Sequence, residues 1–143
     1  MAVTAKLYNL AVTSLANKEI DWSSDTIKVM LCTSTYTPSQ TTHDYKSDVT
    51  NEVTGAGYTA GGATLASKTE AFASQVKQFD AADVTWSTST ITARFAVVYD
   101  DTPATDATKP LICYVDFGAD VVSTGGDFTI TWDATGIFTA TVA

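Results

Sequence analysis

Gly125-Gly126-Asp127-Phe128-Thr129-Ile130-Thr131-Trp132-Asp133 is the stretch whose pattern decides the fold. Phe128, Ile130 and Trp132 alternate with Asp127, Thr129, Thr131 and Asp133. Successive side chains of a strand point to opposite faces, so a period of two describes a strand with one dry and one wet side. The same period fills the rest of the last third. Residues 90–99 place Ile91, Ala93, Phe95, Val97 and Tyr99 on one face, and residues 111–117 do the same with Leu111, Cys113, Val115 and Phe117. Residues 137–142 close the chain in the same style. Parallel sheets read as continuous apolar runs and helices repeat at three to four residues, so neither writes this pattern. The expected class is mainly β: an antiparallel β-sandwich or jelly-roll-like barrel with one N-terminal α-helix, in a single domain spanning residues 1–143.

Working outward, Gly125-Gly126 predicts a tight hairpin turn, because glycine supplies the positive φ of primed turns. Val84 and Trp86 point inward from a further strand, which Ser87-Thr88-Ser89 joins to Ile91 as a second hairpin. Residues 63–79 read as a strand that changes character partway. A strand over 26–34 carries Ile27, Val29 and Leu31 on one face, preceded by a turn that Trp22 anchors. Residues 35–62 form a long polar loop, broken by a short helix near 44–53; loops of that length usually bind something. At the start, Val3, Leu7, Leu10, Ala11 and Leu15 fall at helical steps, predicting a helix over about 4–17. Alone it would be marginal in water, so it must dock on the sheet or on a neighbouring subunit.

Composition narrows the function. A chain of 143 residues is one domain by length and buries roughly 68–70% of its unfolded surface. The net charge is −8, and the eight basic residues are scattered, so no basic stripe exists to meet phosphates and no nucleic-acid partner is expected. No apolar run approaches the ~20 residues of a membrane helix, and the start lacks the basic and apolar regions of a signal peptide, so a soluble protein made inside a cell is expected. Cys32 and Cys113 both fall in predicted strands; they could pair if those strands were neighbours, but buried free thiols are the simpler reading.

Chemistry is sparse. His43, the single histidine, has no matched nucleophile. The glycine-rich run 55–62 lacks the Lys-Ser/Thr ending of a phosphate loop and opens onto a strand, so it reads as a turn of close backbone approach. Asp100, Asp101 and Asp106, or Asp80 and Asp83, could ligate calcium, yet their spacing suits solvated turns better. Trp86 and Trp132 occupy inward registers, which favours core packing over a sugar-binding surface. No Cys/His cluster exists to hold zinc. No catalytic residue, metal site or cofactor is expected.

Several segments together resemble a widespread family of small structural proteins of tailed-bacteriophage virions. They include Lys6-Leu7-Tyr8-Asn9, Ile20-Asp21-Trp22, Asp25-Thr26-Ile27-Lys28-Val29 and Thr33-Ser34-Thr35-Tyr36-Thr37-Pro38. Further along come Ser47-Asp48-Val49-Thr50-Asn51-Glu52-Val53, Gly57-Tyr58-Thr59-Ala60-Gly61-Gly62, residues 79–86, Ile91-Thr92-Ala93-Arg94 and the opening glycine-led stretch. The likeness runs in order along most of the chain, residues 69–77 excepted. It implies a virion part and carries no catalytic residues. The expectation is a non-enzymatic head decoration or cement protein that contacts the major capsid protein or other virion proteins. It would be a homo-oligomer, made in the host cytoplasm and carried on the virion. Contacts would come from residues 1–18 and 35–62, with Leu7, Tyr8, Leu10, Tyr36, Tyr45 and Tyr58 as the binding side chains. The alternative is a tail or head-fibre component binding host carbohydrate on Tyr36, Tyr45 and Tyr58 as exposed stacking platforms. Repetition on a symmetric shell lets many small contacts add up without a deep pocket.

Overall fold

The computed structural model, which describes residues 2–142, is mainly β with two antiparallel sheets and one short N-terminal helix. Its spine is a pair of unusually long strands, β6 (Val84–Asp100) and β7 (Leu111–Ile130), joined through residues 101–110. With β1 (Thr4–Leu7), β2 (Ile27–Cys32) and β3 (Ala63–Thr64) they form a five-stranded sheet in the order β1-β7-β6-β2-β3. A smaller sheet, ordered β4-β5-β8, contains β4 (Thr69–Ala73), β5 (Val76–Asp80) and β8 (Phe138–Thr141). The partly legible segment 63–79 is thus one short strand and a hairpin. Ser74 and Gln75, with φ of 50° and 66°, supply the two positive-φ residues of its tight turn.

The large sheet is covered on both sides. On one face, Val29, Leu31, Ile91, Ala93, Ala96, Val98, Ile112 and Phe128 share a core with Trp22 and Phe138. Trp22 meets Phe138 edge-on at 5.3 Å, Phe138 stacks on Phe79 at 4.4 Å, and the Trp22 indole N–H donates to the Thr69 carbonyl at 3.1 Å. That aromatic group fastens the small sheet to the large one; offset and edge-on pairs add about 0.5–1.5 kcal/mol each to their burial. On the other face, Tyr8, Met30, Cys32, Tyr36, Phe95, Val97, Tyr99, Leu111 and Tyr114 form a second core. Cys32 and Cys113 are free thiols that belong to different cores, on strands separated by β6, so they cannot approach each other.

Three sequence expectations are corrected here. Residues 84–86 and 91–99 are not a hairpin but one strand, interrupted where Ser87 and Thr88 face the single residue Asp127. Gly125-Gly126 is likewise no turn. Both residues lie inside β7, where Gly125, at φ 65°, is an extra residue between the pairs Ser89↔Gly126 and Thr90↔Thr124. Finally, the face shared by Ile91, Ala93, Phe95, Val97 and Tyr99 is split. Phe95 pairs with Asp116 but Ala93 with Val121, and this irregularity flips parity, so Ile91 and Ala93 enter one core while Phe95, Val97 and Tyr99 enter the other. The Arg94 guanidinium pins the bulge through its Nε, 2.6 Å from Asp116 Oδ1, which also accepts the Gly118 N–H at 2.8 Å.

The predicted helix over 4–17 is shorter. Residues 4–7 are β1, paired antiparallel with 113–116, and helix α1 covers only Asn9–Ala16. A lone helical turn there would gain little in water, whereas the edge of β7 offers a complete ladder. Tyr8 is extended at the junction, and its N–H donates to the Ile112 carbonyl at 3.0 Å. The short helix foreseen near 44–53 is a single 3-10 turn, Lys46–Asp48.

Candidate functional site

The long loop is the first place to look for a site, and it is clamped rather than free. Tyr36 reaches into the second core, where its hydroxyl lies 2.9 Å from the Tyr8 hydroxyl and 3.0 Å from His43 Nδ1. The Ser39 N–H also points at His43 Nδ1, at 3.4 Å, so that nitrogen accepts. Tyr36 and His43 rings stack at 5.6 Å. Burial drives both phenols upward from the usual tyrosine value, Tyr36 to about 12. Further on, Tyr58 Oη accepts the Leu31 N–H at 3.0 Å and donates to Glu52 Oε1 at 2.7 Å; Glu52 Oε1 takes the Gly61 N–H as well. Gly62 lies so close to β2 that a Cβ there would sit 1.9 Å from the Val29 carbonyl oxygen, which confirms the close-approach reading of the glycine run.

These contacts relocate the six residues expected to bind a partner. Tyr8 and Tyr36 are fully buried, so neither can be a contact or a stacking platform; their hydroxyls are committed to each other. Tyr58 is half-buried, with its ring tilted on Trp86 and its hydroxyl consumed, and it is no exposed platform either. Tyr45 is half-buried beside the 3-10 turn and bridges to Pro110. Leu7 packs against the first core, and Leu10 is half-buried on α1. The six residues do not converge on one surface. Alternating or polar context gave no warning of this, because a tyrosine in a loop looks the same in sequence whether its ring is exposed or turned inward.

The loop aspartates are engaged as well. Asp101 lies 2.8 Å from Lys28 and 2.7 Å from Lys109; Asp106 lies 2.8 Å from Lys46 and 3.3 Å from Lys109. The lysines hold both carboxyls below the ordinary aspartate value, and among the described residues no group of three or more metal-ligating side chains converges. Asp100 differs: it is fully buried, its Oδ1 accepts the Thr102 N–H at 2.8 Å, and its Oδ2 has no partner among the described residues. Burial foremost, with the Asp25 carboxylate beside it, pushes its acid up to about 6. Burial also lifts both thiols to about 12, so Cys32 and Cys113 stay protonated at neutral pH.

Among the open surfaces is an apolar groove of about 520 Å³ on the first face, bordered by Val3 and Ala5 at the start of β1. Val115, Phe117, Val121, Phe128 and Ile130 of β7 form its floor, with Trp132 at one wall. Sequence reading placed Trp132 inward; it is half-buried, packs against the first core and also borders this groove. No helix among the described residues is long and apolar enough to cross a membrane. Compared with family models, curated proteins and solved structures, the chain matches none.

Proposed function

We propose that this chain is a non-enzymatic structural protein of a phage virion, a head decoration or cement protein that binds the capsid surface. The observation that carries the reading is the ordered resemblance along most of the chain to small structural proteins of tailed phages. The geometry supports it from another side. The hydroxyls of Tyr8, Tyr36 and Tyr58 and the carboxylates of Glu52, Asp101 and Asp106 are spent on internal hydrogen bonds and ion pairs. The large apolar side chains left outside among the described residues are Val3 and Val12 near the N-terminus, Phe72, Val121 and Val122 on the sheets, and Val142 after β8. A rigid two-sheet body that presents such residues suits adhesion, because repetition on a shell multiplies weak contacts. Of the three tyrosines named for the carbohydrate-binding alternative, Tyr36 is buried, Tyr58 is half-buried with its hydroxyl held by Glu52, and Tyr45 is half-buried.

The test is stoichiometry. Purified virions should contain this chain at copy numbers comparable to the major capsid protein, and immunogold labelling should decorate heads. A handful of copies per particle, or label confined to tails, would overturn the assignment.

A further inference from the structure

The strands that end the two sheets are β1, β3, β4 and β8. An open edge recruits further strands unless charge, proline or shortness guards it. β1 carries Lys6, β3 is two residues long, and β4 carries Glu70 and gives its Thr69 carbonyl to the Trp22 indole N–H. β8, Phe138-Thr139-Ala140-Thr141, has no charged guard, and residues 134–142 hold neither a charge nor a proline. Thr139, Ala140, Thr141 and Val142 are all exposed. The Val142 N–H donates to the Gln75 carbonyl at 2.8 Å, so it points toward the β4–β5 hairpin. Backbone groups of alternate residues in a strand point the same way, so those of Ala140 face β5 while those of Thr139 and Thr141 face outward. Among the described residues, no backbone hydrogen bond reaches those outward groups.

The edge is complementary to itself. A two-fold axis at Ala140 sets Thr139 opposite Thr141 of a second copy, and every outward N–H and C=O of the two residues then finds a partner. On the face that carries Phe138, the same axis brings Val142 opposite Phe138 of the second copy, and Val142 is 58% exposed in the single chain. Charge points to the same occupant. The chain is at −8, so copies that met on a carboxylate-bearing surface would repel. At β8 they meet without opposed charges: the residue facing Ala140 on β5 is Lys77, already paired with Glu70 at 2.7 Å. The strand itself offers nothing charged for a foreign segment to read. We infer that β8 is a self-association edge, on which two copies pair antiparallel about Ala140 and join their small sheets in the order β4-β5-β8-β8-β5-β4. One short strand pair covers less than the ~1,200–2,000 Å² of a stable interface, so the dimer is a weak one. The inference does not rest on the phage reading.

The test is sedimentation of the full chain from about 10 μM to 1 mM, where weak association shows. The mass should rise with concentration from 15.1 kDa toward twice that value. Amide exchange followed by NMR should show Thr139 and Thr141 gaining protection as concentration rises, with Ala140 and Val142 protected throughout. Thr141→Pro removes only an outward N–H, which an edge strand tolerates, and should weaken association at least about tenfold while the dilute protein melts as the parent does. Thr141→Lys gives a second reading without a backbone change, because it sets like charges across the axis, and should weaken association several-fold. Ala140→Cys faces its own copy at ~4.5 Å between Cα atoms, within disulfide reach, and should cross-link under mild oxidation. Thr139→Cys should not, and the native Cys32 and Cys113 are buried and do not compete. A mass fixed at one chain across the whole range, a dimer that Thr141→Pro leaves intact, or equal cross-linking of the two cysteine variants would overturn the inference. The isolated chain is measured, so such a failure would leave the copy number on virions untouched.

Discussion

The hydroxyls of Tyr8 and Tyr36 sit 2.9 Å apart inside the second core, tying the junction of β1 and α1 to the start of the long loop, and Tyr36 passes the contact on to His43 Nδ1 at 3.0 Å. A buried polar group stripped of its partner costs about 1–3 kcal/mol. Tyr36→Phe should therefore lower unfolding free energy by about that much, since it strands the buried Tyr8 hydroxyl and leaves His43 Nδ1 with only the longer Ser39 N–H contact. Tyr8→Phe should cost less, because Tyr36 keeps His43. The double variant should cost less than the sum, and a denaturant-derived cycle with no coupling would show that the contact does not form.

Asp100 makes the stability pH-dependent in the direction opposite to most carboxyls. Its acid is raised from an ordinary value of 3.8 to about 6 in the folded protein, by burial first. Between those values the folded state holds the extra proton. Its stabilising contribution is therefore full below about pH 4, declines as pH rises through about 6, and is gone above. Asp100→Asn keeps an acceptor for the Thr102 N–H and offers a donor toward Asp25. At pH 8 it should be more stable than the parent by on the order of 1–3 kcal/mol, with the difference shrinking toward pH 4. Paired thermal melts across that range check this; a difference independent of pH would refute the titration.

Gly62 and Gly126 should respond in opposite ways to alanine. At Gly62, φ is 79° and the added methyl would collide with the Val29 carbonyl oxygen and Met30 Cα. β2 cannot yield without disturbing its pairing with β6, so Gly62→Ala should cost upwards of about 3 kcal/mol or prevent folding. Gly126→Ala meets nothing within 4 Å and should lie within about 0.5 kcal/mol of the parent. Urea midpoints of the two variants decide it.

The sheet class was legible because alternation such as Asp127 to Ile130 reports directly on the wet and dry sides of a strand. Connectivity was not. Gly125-Gly126 carries the composition of a hairpin turn, and the same positive φ serves a bulge equally well; only the partner strand, with Thr90 Oγ1 accepting the Gly125 N–H at 3.0 Å, decides between them. The parity switch at Arg94 is hidden for a related reason. Phe95, Val97 and Tyr99 are as apolar as Ile91 and Ala93, and because both faces of the sheet are covered, nothing in the pattern marks which core each one enters. Residues 4–7 mislead by satisfying two periods at once, and the β7 edge selects one. The expected contact residues were the least legible, since burial of Tyr8 and Tyr36 depends on the loop folding back over the sheet.

The end of α1 offers a gain of stability. The Glu19 N–H donates to the Ser14 carbonyl at 2.8 Å and the Lys18 N–H to the Leu15 carbonyl at 3.3 Å, the double bond pattern that closes a helix through a left-handed residue. Lys18 occupies that left-handed position at φ 60°, where a side chain is strained and glycine is not. Its ammonium makes no ion pair among the described residues, and the residue is exposed, so substitution removes little else. Lys18→Gly should raise stability by about 0.5–1 kcal/mol, with the relief of strain exceeding the entropy that glycine adds to the unfolded chain. Lys18→Ala should bring no gain, because alanine keeps the strained Cβ. A melting temperature that falls for Lys18→Gly, or rises equally for both variants, would mean that Lys18 is not held left-handed in solution.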